Sequence, residues 1–209
     1  MNETYELFPT PVALYEYDGS IDDELNYLKS IAYLVRQSRL RSGDSFLLKT
    51  KEMKNITKFV NKSLKDYTTN ILGIDESLKI TQSWANKNKK GDSQGKHLHP
   101  NSLVSGIFYF QTNESAYIEF MKSTQEQLTI YPTRINSMNA SSYSLNTKSK
   151  QCILFPSSLS HAVHVNKSDE EHISLSFNTF YLDDFGSKED LTHLNVKELT
   201  KENKKNESK

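Results

Sequence analysis

Residues 78–111 read LKITQSWANKNKKGDSQGKHLHPNSLVSGIFYFQ, and the rhythm of this stretch decides the fold. Two β-prone runs, 78–86 and 102–111, flank a segment of Asn, Lys, Gly, Asp and Ser, residues that favour turns because they accept unusual backbone angles or bond their own main chain. The texture continues in AYIEFM (116–121), QLTIYP (127–132), SSYSLN (141–146), QCILFP (151–156) and HISLSFNTFYL (172–182). About seven short strands broken by turn residues predict an antiparallel sandwich or barrel. Gly106, inside one of these strands, predicts a bulge or the close approach of another backbone.

Upstream the period changes. Ser20 followed by Asp23 has the form of a capping box, and Ile21, Leu25, Leu28, Ile31, Ala32 and Val35 then recur at helical spacing. Met53, Ile56, Phe59, Val60, Leu64 and Tyr67 repeat that pattern and stop near Gly73. The expected organisation is therefore one mainly β domain over 1–185, with a helical part at 20–72 packed on one sheet and a β-rich part at 76–182. Residues 186–209 are charged and poor in aromatics, which predicts a solvated tail.

Composition narrows the function classes. The 26 basic and 26 acidic residues cancel, so no global field draws the chain to nucleic acid or to an anionic membrane. A small-molecule or peptidyl substrate suits such a surface better. No apolar run approaches the roughly 20 residues that span a bilayer. Cys152 is the only cysteine, which excludes an internal disulfide and points to a reducing, cytoplasmic setting. No phosphate-binding glycine loop, nucleophile elbow or H-E-x-x-H motif occurs. A homodimer through the helical face is a further expectation, on which the sequence gives no direct signal.

Six histidines are present, and four fall in two clusters, His97-Leu98-His99 and His161-Ala162-Val163-His164. In extended chain, residues i and i+2 share a side, so His97 and His99 can offer both imidazoles to one point. The second cluster follows a strand and a proline turn that can bring His161 back to the first pair. Three nitrogen ligands on one face of an octahedral ion leave the opposite face open, as oxygen chemistry at non-haem iron requires.

SWANKNKKGDSQGKHLHPNSLVSGIFYF (83–110) and ILFPSSLSHAVHVNKSDEEHISLSFN (153–178) together resemble a 2-oxoglutarate–iron(II) oxygenase family related to prolyl hydroxylases, and LFPTPV (7–12) and SGDSFLL (42–48) are similar to its N-terminal region. The resemblance implies a double-stranded β-helix, or jelly-roll, with iron(II) and 2-oxoglutarate as cofactor and cosubstrate and dioxygen as partner. It places His97 and His161 at the family's two metal histidines and His99 where most members carry Asp or Glu. Asp92 can supply a carboxylate if its loop folds inward, or is simply a turn residue. His164 is an alternative ligand to His161.

The resemblance also implies where the far carboxylate of 2-oxoglutarate is held. Tyr109 falls at a tyrosine used for this purpose, and His172-Ile173-Ser174 stands where an Arg-x-Ser is usual. Histidine offers one donor and little charge at neutral pH, whereas arginine offers a charged fork. Arg134, the one arginine in the β-rich part, is a candidate substitute or substrate anchor, against the plainer reading of a surface loop charge. Asn178 can bond a substrate or tie strands together. Two alternatives to the hydroxylase stay open: a metal-binding jelly-roll module without 2-oxoglutarate-dependent activity, and a three-histidine dioxygenase that works without 2-oxoglutarate.

Overall fold

The computed structural model describes residues 3–5, 7–36, 39–75, 78–122, 132–196 and 198. In chain order the main elements are β1 (Ala13–Glu16), α1 (Asp22–Ser30), β2 (Tyr33–Arg36), β3 (Arg39–Ser42), α2 (Lys54–Asp66), β4 (Lys79–Asn88), β5 (Gln94–His97), β6 (Val104–Gln111), β7 (Tyr117–Met121), β8 (Ser142–Asn146), β9 (Gln151–Pro156), β10 (Ser160–Val163) and β11 (His172–Phe180). Two antiparallel sheets result, a larger one in the order β1-β9-β6-β11-β4-β3-β2 and a smaller one in the order β5-β10-β7-β8. This is the double-stranded β-helix expected from the sequence. The expected strand at 127–132 lies, except for Pro132, outside the described residues.

The two-residue alternation of the strands sorts side chains between two cores. Along β6, Val104, Phe108 and Phe110 face the helices and join Leu28, Met53, Ile56, Val60 and Leu64. Their neighbours Ile107 and Tyr109 face the other way and pack with Ile118, Phe120, Ile153 and Phe155 inside the barrel. On β11, Ile173, Leu175 and Phe177 join the helical core, so His172, Ser174, Ser176 and Asn178 alternate onto the barrel side. Gly106 is required where it stands, though by side chains and not by another backbone: an added Cβ would overlap the Phe177 ring and meet Leu154 Cδ2 at 2.7 Å.

The N-terminal region departs from the sequence reading. The helix after Ser20 ends at Ser30, Ile31 is extended with ψ 161°, and Val35 lies in β2 and is exposed. Long-range pairing overrides the helical stripe here. β2 pairs with β3 and β3 with β4, while the Tyr33 hydroxyl donates to the Leu28 carbonyl at 3.0 Å. Ser20 Oγ accepts from the Asp22 amide at 3.3 Å and donates to the Asp22 carboxylate at 2.9 Å, rather than closing a box with Asp23. The second helix follows its predicted stripe and gives way to a π-turn, Tyr67–Ile71, before Gly73 with φ +66°.

Past β11 the chain does not simply enter a tail. Asp184–Phe185 pairs with Leu194–Asn195, and the Phe185 ring packs on Phe180 and Tyr181. Residues 199–209 lie outside the described set. Among the described residues, no helix is long and apolar enough to cross a membrane.

Candidate metal centre

β5 and β10 are neighbours in the smaller sheet with His97 opposite His161, so sheet pairing alone brings the two distant histidines together. Their ring centroids are 4.2 Å apart, and His99 lies 5.3 Å from His97 and 5.1 Å from His161. The strand ends at His97, and His99 is held beyond it by its own amide, which donates to the Ser157 carbonyl at 3.0 Å. One ligand nitrogen from each of the three histidines lies within 4.8 Å of the other two. A single ion can bridge such a cluster.

Hydrogen bonds at the other ring nitrogen decide which atoms are free. His97 Nδ1 faces the Gly95 carbonyl at 2.9 Å, His161 Nδ1 the Leu159 carbonyl at 3.0 Å, and His99 Nδ1 the Asn178 Oδ1 at 2.5 Å. Each partner is an acceptor, so each Nδ1 carries the proton and each Nε2 keeps its lone pair. Asn178 is itself fixed by Ser105 Oγ, which donates to the same Oδ1 at 3.2 Å and sits 2.7 Å from Ser157 Oγ. The residue read in the sequence as either a substrate contact or a strand tie thus orients His99.

Burial keeps the three rings neutral. Desolvation lowers the pKa of His161 to about 3 and also lowers those of His97 and His99. At neutral pH no proton competes with a metal for the three nitrogens. Gln94 Nε2 stands 2.7 Å from His97 Nε2 and donates to that lone pair, so a bound ion displaces this donor. Nothing in the sequence reading singled Gln94 out.

The neighbouring pocket is lined by Trp84, Asn86, Asn88, Tyr109, His172, Ser174 and Ser176 as well as the triad. Tyr109 and His172 stack with centroids 5.5 Å apart, and Tyr109 is paired in register with Ser174. His172 Nε2 is buried with no hydrogen-bond partner among the described residues, and desolvation lowers the pKa of this ring to about 4. The three residues expected at the cosubstrate's far end are therefore brought together beside the triad.

The remaining candidates lie elsewhere. Asp92 sits in the β4–β5 turn, where its carboxylate accepts from the Lys89 amide at 2.9 Å and its carbonyl accepts from the Asn166 amide at 2.9 Å; it is not part of the triad's cluster. His164 stacks on Tyr117 at 4.2 Å and meets Glu119 Oε2 at 2.8 Å. Arg134 is exposed in a loop whose carbonyl receives Asn139 Nδ2 at 2.9 Å. Arg39, on β3, has Nε and Nη1 sealed from solvent with no hydrogen-bond partner among the described residues.

Comparison with known proteins agrees with this geometry. The family model described as "Putative 2OG-Fe(II) oxygenase" matches residues 82–178, the stretch that holds all three histidines. The family resemblance read in the sequence is borne out there, over somewhat less than half of the chain. No curated protein sequence matches the chain.

The solved structures it resembles share the fold at low identity. SnoN, a non-heme alpha-ketoglutarate-dependent epimerase from nogalamycin biosynthesis, superposes with TM-score 0.63 at 12% identity, covering 85% of this chain and 79% of that one. HygX from Streptomyces hygroscopicus, crystallised with nickel, 2-oxoglutarate and hygromycin B, gives 0.56 at 11% over 81% and 82%. A prolyl hydroxylase from Trichoplax adhaerens, in complex with a hypoxia inducible factor peptide fragment, gives 0.57 at 12% over 81% and 83%.

Proposed function

We propose that the protein is a non-haem iron(II), 2-oxoglutarate-dependent dioxygenase that hydroxylates a small-molecule or peptidyl substrate. The observation that carries this reading is the convergence of three neutral imidazoles, each with Nδ1 tied to an acceptor, inside the segment that matches the family. His97, His99 and His161 would hold the metal through Nε2. When bound, iron(II) supplies dioxygen activation coupled to decarboxylation of 2-oxoglutarate, with one oxygen atom passing to succinate and the other to the substrate.

This chain's own residues supply positioning. The Nδ1 hydrogen bonds fix the three rings and leave the opposite face of the site open. Tyr109, His172 and Ser174 receive the cosubstrate's far carboxylate. His172 contributes there as a hydrogen-bond donor and not as a charge, because burial keeps its ring neutral at pH 7. Three imidazoles in place of two and a carboxylate leave the ion's full positive charge uncompensated by the protein, which favours an anionic chelate.

Purified protein loaded with iron(II) is expected to release succinate from 2-oxoglutarate in air. Under anaerobic conditions it is expected to take up 2-oxoglutarate with a visible charge-transfer band. Iron uptake with neither band nor binding heat would contradict the cosubstrate assignment. The uncharged His172 favours, as second reading, a three-histidine dioxygenase independent of 2-oxoglutarate, for which oxygen uptake with candidate substrates alone is the sign. A metal-binding module gives neither response.

A further inference from the structure

β5 spends one residue more than the strand it pairs with. His97 lies opposite His161 and Gln94 opposite Val163, so Gly95 and Lys96 together answer Ala162 alone. In unbroken pleating, residues three apart point to opposite faces. A bulge of two residues against one re-aims the side chains beside it, and here it turns Gln94 onto the face of His97, so that both line the pocket. The same bulge supplies the Gly95 carbonyl that holds His97 Nδ1 at 2.9 Å.

The Gln94 carboxamide is thereby held at the ligating side of the histidine, with Nε2 2.7 Å from His97 Nε2. Two ligands side by side on one octahedral ion are about 3 Å apart when each bond to the metal is about 2.1 Å. An ion held by His97 is therefore within reach of this group without movement of the strand. A cation repels the N–H end of an amide and attracts its carbonyl end, and a half-turn about the last side-chain bond exchanges the two.

We propose that Gln94 is a fourth protein ligand of the centre, through Oε1. This rests on the dioxygenase reading above and extends its ligand set. Among the described residues no carboxylate joins the three histidines, so the amide is the oxygen donor that the chain offers in its place. Two octahedral positions then remain, the number that a keto-acid chelate fills. A neutral amide oxygen is also a weaker ligand than a carboxylate, and so an exchangeable one.

The test measures the affinity of the full chain for iron(II) and zinc(II), by competition with a chromophoric chelator, in wild type, Q94L and Q94E. Leucine keeps the bulk and removes both ends of the amide. A ligating Oε1 predicts that Q94L binds metal about tenfold or more weakly. Q94E, which puts a charged oxygen within the same reach, is expected to bind more tightly than wild type. A residue that merely capped the empty His97 nitrogen would compete with the metal, and its loss in Q94L would tighten binding, so the two roles differ in sign. As a second readout, wild type labelled with 15N in its glutamine side chains and loaded with copper(II) is expected to show a 15N coupling in pulsed EPR that Q94L lacks.

Unchanged or tighter metal binding by folded Q94L overturns the inference and leaves the dioxygenase reading intact. Failure of wild type to bind metal at all removes that reading and this inference together. Should Q94L not fold, the labelled wild type still decides, since a copper(II) form without the 15N coupling overturns the assignment.

Discussion

Asn178→Ala removes the acceptor that holds His99 while leaving every metal ligand in place. Asn178 Oδ1 is the partner of His99 Nδ1 at 2.5 Å, and it also receives Ser105 Oγ at 3.2 Å. Two hydrogen bonds are lost, but Ser105 retains Ser157 at 2.7 Å and the His99 amide retains the Ser157 carbonyl. The stability cost should therefore be about 1 kcal/mol. The metal cost is larger in effect, since losing the orienting partner of a ligating histidine weakens affinity by about 10- to 100-fold, or ~1.4 to ~2.8 kcal/mol.

Competition of zinc(II) or iron(II) against a chromophoric chelator reads this directly, with thermal unfolding of the metal-free protein as control. Asn178→Asp keeps an acceptor for the same N–H and raises the basicity of His99, so it should bind metal at least as tightly as wild type. Unchanged affinity in Asn178→Ala, with folding intact, would refute the argument that this side chain selects the His99 tautomer.

The histidine pKa values predict how stability varies with pH. Burial lowers the folded pKa of His161 to about 3 and of His172 to about 4, from an unfolded value of 6.5. The unfolded chain then binds more protons below pH 6.5, and stability, full above that value, declines as pH falls toward 4 and 3. Chemical denaturation of metal-free protein across pH 4–8 should show this, with His172→Gln losing part of the slope; a stability rising toward acid would contradict it. Gly106→Ala should cost about 1–3 kcal/mol through overlap with Phe177 and Leu154, read as a lowered Tm, and an unchanged Tm would mean that the ring gives way freely. His172→Arg should tighten anaerobic 2-oxoglutarate binding by about tenfold or more by supplying a charged donor, whereas weaker binding would mean that the far carboxylate does not lie there.

The two histidine clusters were legible because each is local, while their convergence comes from the pairing of β5 with β10. His97 and His99 are two residues apart, and His161 follows a proline turn whose Pro156 carbonyl accepts from the Leu159 amide at 2.9 Å. The β-rich sandwich or barrel was legible from the short strands broken by turn residues, and the jelly-roll from the family resemblance. The β2–β3 pair was not, because its pattern fits a helix over a few residues and only β4, more than forty positions later, decides otherwise. Ser42 shows the dependence: its hydroxyl receives the Ala85 amide at 3.0 Å. A helical reading of that pair does not anticipate the sealed guanidinium atoms of Arg39 on β3, and the contact of Gln94 with His97 depends on a side-chain geometry that spacing does not encode.

The central claim, one metal ion shared by imidazoles from β5, from the residue just past it and from β10, is tested most directly by measuring iron(II) stoichiometry and its ligand signature by X-ray absorption. Wild type should hold one iron per chain with three imidazole nitrogens, and His97→Ala and His161→Ala should each lose it. Stoichiometric iron retained in both variants would contradict the account.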